Sequence, residues 1–298
     1  MASSLSGRSL RTIAADLPAL SLGSSAAEVR HWSLLFVVVG VRRWCPPPQA
    51  VLTKYPRLLL EAGELMKQLP GSTGALRAGP GTVIEGRELD GYELFGGEVL
   101  PVEDPAERPV FRNITLRGCA VRDCFFEGAL LEDVLIDGLT APQDPHQRVL
   151  ACAFHRVALR GRISNVTLLP DLGLSHAGLQ PRYRRANGEH WVELISEGDW
   201  ALDISGITSG LDFRSAVPAR LVRRDPETQV VVTAEQAAGA DWRSVPGLEK
   251  SRLGVHIRLL QISDHRDTIL IADKSAPDRA RQVGMLRELQ RIGAAQPD

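Results

Sequence analysis

The side chains able to do chemistry are seven histidines (His31, His146, His155, His176, His190, His256 and His265) and four cysteines (Cys45, Cys119, Cys124 and Cys152). Asp264-His265-Arg266-Asp267 sets a histidine between carboxylates, a pairing that can hold a general base. No Gly-x-Ser-x-Gly elbow, His-Glu-x-x-His helix or kinase-like set accompanies it, and clustered loop charges are ordinarily solvated, so the chain is not expected to be an enzyme. The cysteines lack any Cys-x-x-Cys pair, which points to structural thiols rather than a metal site. The glycines of residues 71–81 lack both the Lys-Ser/Thr ending of a phosphate loop and dinucleotide-site spacing. No cofactor and no metal are expected.

Two charged surfaces remain as binding candidates. Glu85, Glu88, Asp90, Glu93 and Glu98 make one stretch acidic, with Arg87 the only base in that span. Arg182, Arg184 and Arg185, with Arg223 and Arg224, make a later one basic. Opposite charges at separate places steer a partner or orient a homodimer.

These groups must be carried by a chain of 298 residues, long enough for a full core. Its 35 basic against 36 acidic side chains leave a net charge of -1, without the excess that direct nucleic-acid or polybasic membrane binding requires. Aromatics at 5% disfavour a base-stacking surface. The run Ser33 to Val41 is about half a membrane span, lies deep for a signal core and is closed by Arg42 and Arg43. A cytoplasmic protein is expected, with residues 1–54 a poorly ordered leader or a short buried strand.

The spacing of Leu58, Leu59, Leu65, Met66 and Leu69 predicts an amphipathic helix ended by Pro70-Gly71, so that residues 55–81 form an N-terminal helix and linker. Beyond it a five-residue period emerges. Ile84, Leu89, Leu94 and Val99 are five apart, and so are Phe111, Leu116, Val121, Phe126, Leu131 and Ile136. Two positions after each stands a turn former: Gly86, Gly91, Gly96 and Pro101, then Asn113, Gly118, Asp123, Gly128, Asp133 and Gly138. Five steps on an α-helix turn about 140°, and an odd step in a flat strand changes face, so neither can bury this column. A chain that bends once per repeat can. Cys119, Cys124 and Cys152 then fall in an inward column where a thiol acts as a compact hydrophobe.

Cys124-Phe125-Phe126-Glu127-Gly128 and Leu202-Asp203-Ile204-Ser205-Gly206 resemble the pentapeptide-repeat family. The resemblance implies a right-handed quadrilateral β-helix with four repeats per coil. The expected fold class is therefore mainly β: a short, interrupted right-handed parallel β-helix over residues 82–233, with an N-terminal helical cap and a small C-terminal α/β cap over residues 234–298. Toward that end the pattern predicts a strand Gln229 to Thr233 just before the cap and, within it, a strand Thr268 to Ala272 and helices Ala234 to Ala240, Ser251 to Ile262 and Pro277 to Ile292. The corresponding function is a non-catalytic, rigid protein-interaction scaffold with an unknown protein partner. Some members of that family resemble duplex DNA in shape and charge and bind DNA gyrase, which makes a topoisomerase modulator the alternative. A third reading is an enzyme whose site lies between the C-terminal cap and the β-helix, using His256 or His265.

Overall fold

A computed structural model describes residues 77–142, 147–209, 211–214 and 217–297. The leader, the expected helix over residues 57–69 and most of its linker lie outside the described residues.

Between Arg77 and Arg223 the described chain passes back and forth between two parallel sheets. One contains β1 (Arg77–Ala78), β4 (Glu98–Val99), β6 (Phe125–Glu127), β8 (Gln147–Leu150), β11 (Val166–Leu169) and β13 (Asp212–Phe213), in that order. The other runs β2 (Val83–Asp90), β5 (Val110–Arg122), β7 (Leu130–Thr140), β10 (Val157–Ser164), β12 (Leu202–Ser209) and β14 (Val222–Arg223). Alongside that path, β3 (Glu93–Phe95) pairs with β5, and β9 (Ala153–His155) with β7. The sheets face one another across a shared apolar core, where the Phe111 and Phe126 rings meet at 5.0 Å.

The structure departs from the expected fold class. The structure is a stack of a six-stranded and an eight-stranded parallel sheet with helices, an α/β-like arrangement, and not a quadrilateral β-helix. Strand length is the reason. β5 runs 13 residues and β7 runs 11, so each ladder continues through two or more five-residue repeats where a four-faced coil requires a new short face at every turn former.

The turn formers act inside those ladders. Asn113 (φ 53°) and Gly118 (φ 57°) in β5, and Asp133 (φ 53°) and Gly138 (φ 78°) in β7, all take left-handed backbone. Asparagine, aspartate and glycine tolerate that region best. The local bend lets Phe111, Leu116 and Val121 line one interior despite their odd spacing. Cys119 (0% exposed) and Cys152 (5%) are buried, Cys124 is half-buried, and all three thiols donate to backbone carbonyls.

The C-terminal quarter is built separately. β15 (Gln229–Thr233) and β16 (Asp267–Ile271) pair antiparallel. Against them lie α2 (Ala234–Gly239), α3 (Arg252–Ile262) and α4 (Arg279–Arg291). Thr233 and Gln236 form a reciprocal capping box at the start of α2, and the Ser251 hydroxyl accepts from Gly254 N to start α3. Val231 and Ile269 join the core of the sheets, while Val230, Val232 and Leu270 point to a second core with Trp242 and Leu286, as the two faces of a strand pair must. Among the described residues no helix is long and apolar enough to cross a membrane.

Candidate functional site, a charged groove beside the long helix

α1 (Gln180–Glu197) interrupts the sheets and was not expected from the sequence. Pro181 suits its first turn, and Gly198 ends it in left-handed backbone (φ 70°), accepting the role a side chain with a Cβ resists. Its buried face is Tyr183, Asn187, Trp191 and Leu194, spaced four, four and three.

That face clasps the connection from β4 to β5, which contains a 3-10 turn at Pro105–Glu107. The Tyr183 hydroxyl accepts from Val102 N at 2.8 Å. Arg182 Nη1 donates to both the backbone oxygen and the carboxylate of Glu103, each at 2.8 Å. Arg108 Nη1 donates to Asn187 Oδ1 at 2.7 Å, and Asn187 Nδ2 donates in turn to Ala151 O. The Tyr183 ring lies so close to Gly128 that a Cβ there would stand 2.6 Å from Cε1.

The other end of α1 is held by charge. His155 Nε2 lies 2.9 Å from Asp199 Oδ2, and Arg156 bridges the same Asp199 to both oxygens of Asp133. The His155 hydrogen bond, helped by Trp200 N and Arg156 against some desolvation, holds the Asp199 carboxyl down to about 2. α1 is thus fixed at both ends, and a groove of about 730 Å3 lies between it and the β4–β5 connection.

The groove is lined by Arg108, Arg182, Arg185, Glu103, Glu189 and His190, among others. Arg108 is half-buried, and desolvation pulls its pKa below the ordinary guanidinium value. Its hydrogen-bond partner is a neutral amide, and among the described residues no carboxylate pairs with it. A desolvated cation matched only by an amide retains most of its attraction for an incoming carboxylate. Burial also lowers the His190 pKa, against the hydrogen bond that Nε2–H donates to Phe154 O. Neither a protein-family model, nor a curated protein, nor a solved structure matches this chain.

The basic residues singled out in the sequence divide. Arg182 and Arg185 line the groove, whereas Arg184 turns to Asp171 at 2.9 Å. Arg223 lies on β14 with its guanidinium 4.2 Å from the Trp200 ring centre, and Arg224 donates to Gln229 O. The acidic residues meet bases on the neighbouring strand. Glu88 pairs with Arg117 (3.7 Å), Glu93 with Arg122 (2.6 Å) and Glu98 with Arg77 (3.2 Å). Glu85 and Asp90 stand in register with Arg112 and Arg117. Strand pairing therefore sets a basic row, Arg112, Arg117 and Arg122, beside the acidic one, and the field of a bare acidic stripe is largely cancelled.

His256 and His265 separate too. His256, 7% exposed, meets Asp212 Oδ1 through Nε2 at 2.9 Å, and its Nδ1 is buried without a partner among the described residues. His265 is half-buried beside an exposed Asp264, while burial pushes the Asp267 carboxyl up against a hydrogen bond from Ala219 N. Among the described residues no group of three or more His, Cys, Asp or Glu is arranged to hold a metal ion.

Proposed function

We propose that the protein is a non-catalytic interaction scaffold that receives a carboxylate-bearing segment of a protein partner in the groove between α1 and the β4–β5 connection. The observation carrying this reading is Arg108: a desolvated guanidinium bonded to Asn187 at 2.7 Å, facing an open groove and lacking an acidic partner among the described residues. Arg185 adds a second cation on the same wall, and the groove's four carboxylates, Glu103, Asp104, Glu189 and Glu193, add register by repelling a misplaced acid. The ties of Tyr183 and Arg182 hold the groove's walls at fixed separation, which lowers the ordering cost of binding. A cytoplasmic location belongs to the same reading, supported by the free thiols Cys119, Cys124 and Cys152. The ion pairs of Glu88, Glu93 and Glu98 with Arg117, Arg122 and Arg77 favour this reading over imitation of duplex DNA.

Affinity purification of the full chain beside Arg108→Ala and Arg185→Ala tests it, with circular dichroism as the check on folding. A partner retained by the native chain and lost by both folded variants is expected. A set of bound proteins indifferent to both substitutions overturns the reading.

A further inference from the structure

The space between the two sheets is incompletely filled. An apolar cavity of about 220 Å3 runs between them, lined by Phe111, Leu131 and Phe154 from successive strands of the larger sheet and by Val99, Phe126 and Leu168 from the smaller. None of its lining residues belongs to the charged groove. Its two ends differ. Toward β12 the core is shut: Leu202, Ile204 and Ile207 are at most 1% exposed, and Val231 and Ile269 pack onto the same core. Toward β2 the lining residues Ile84, Leu89 and Leu94 are only half-buried, so among the described residues the cavity opens there.

One residue at that opening breaks the apolar pattern. Strand register places Arg87 beside Ile114, and Ile114 beside Val134. Ile114 and Val134 are 7% and 4% exposed and point into the core, so Arg87 occupies the inward position of the outermost layer. Its Nε is buried and has no hydrogen-bond partner among the described residues. A buried, unsatisfied donor on a cation costs free energy until an acceptor reaches it. Tyr92 lines the same opening one repeat further on, in the inward position that Cys119 takes in the next layer.

We propose that this cavity binds a single-chain amphiphile with a carboxylate head, the hydrocarbon tail between the sheets and the head on Arg87 at the opening. Size selects the tail. An apolar cavity near 150 Å3 stays dry and takes up benzene, so 220 Å3 accommodates a saturated chain of about eight carbons. Charge selects the head: a neutral one leaves the Arg87 Nε–H facing a weaker acceptor, whereas a carboxylate supplies charge-assisted hydrogen bonds.

Calorimetric titration of the full chain with octanoate and with octan-1-ol tests the proposal, alongside Arg87→Leu and Ile84→Trp. Expected are saturable octanoate binding about tenfold tighter than that of octanol, loss of that preference in Arg87→Leu with octanol binding unchanged, and loss of both ligands in Ile84→Trp, whose indole fills the opening. No octanoate binding by the native chain at millimolar ligand overturns the proposal. So does equal affinity for acid and alcohol in the native chain, a comparison that needs no variant to fold.

Discussion

His256 Nε2 and Asp212 Oδ1, 44 residues apart in the chain, lie 2.9 Å apart and join α3 to β13. Arg214 holds the same carboxylate through both its oxygens, so the contact between the helical quarter and the sheets contains a buried ionic cluster. Desolvation, the largest influence, pushes the Asp212 carboxyl up, but the hydrogen bonds from His256 and Arg214 together outweigh it and hold it well below the usual range.

A carboxyl depressed in the folded state stabilises the fold above its unfolded pKa of about 3.9 and ceases to do so as pH falls through the folded value. Urea titrations at pH 7 and at pH 2.5 should show the native chain losing more stability on acidification than Asp212→Asn. At pH 7 the variant should be about 3 kcal/mol less stable, because the amide carries no charge, keeps one acceptor oxygen and turns an NH2 donor toward Arg214 and His256. Equal acid sensitivity in the two proteins contradicts this account.

Gly128→Ala and Gly86→Ala should differ in cost although their backbones match (φ 71° and 67°). Both incur about 1–2 kcal/mol for a Cβ in left-handed backbone. At position 86 nothing lies within 4 Å of the added carbon, whereas at 128 it drives into the Tyr183 ring. Thermal denaturation should therefore place Gly128→Ala a further 1–3 kcal/mol lower, about the cost of overpacking.

Tyr183→Phe removes the acceptor for Val102 N while keeping the ring against Gly128. A loss of about 1 kcal/mol is expected from denaturant unfolding. Amide hydrogen exchange at Val102 should accelerate more than exchange in β7. Uniform acceleration across both would show that the hydroxyl does not anchor the connection.

Thiol reactivity should separate Cys152 from Cys124. Burial pushes the Cys152 thiol up to about 12, so almost no thiolate exists at pH 8. Cys124 is also raised by burial, though less, and lies half-buried at the cavity wall. Timed alkylation followed by peptide mass spectrometry should label Cys124 first and leave Cys152 unmodified until denaturant is added.

Local chemistry written in adjacent residues was readable in the sequence, and geometry depending on distant residues was not. The Gly, Asn and Asp column marks left-handed backbone because each residue's own sterics decide it. β15, α2, α3, β16 and α4 fall within two residues of where periodicity put them, and Thr233, Gln236 and Ser251 start α2 and α3 by contacts made within one turn. The number of faces per repeat is different in kind: it depends on how far β5 and β7 stay paired, which no five-residue motif encodes. α1 was hidden by its charge, because Arg182, Arg184 and Arg185 read as a solvated run. Tyr183, Asn187, Trp191 and Leu194 at helical spacing were the signal that could have found it. Arg108 meets Asn187 across 79 residues, so the groove had no sequence signature.

The parallel order leaves β2 outermost in the larger sheet among the described residues. An outermost strand is a template on which a second molecule can extend the ladder. Glu85, Glu88 and Asp90 are strung along it, and although the arginines of β5 cancel their field at a distance, two molecules meeting rim to rim would bring these carboxylates into direct cross-strand contact with one another. The row that, counted along the chain, looked like an invitation to a partner works equally as a deterrent to fibre growth.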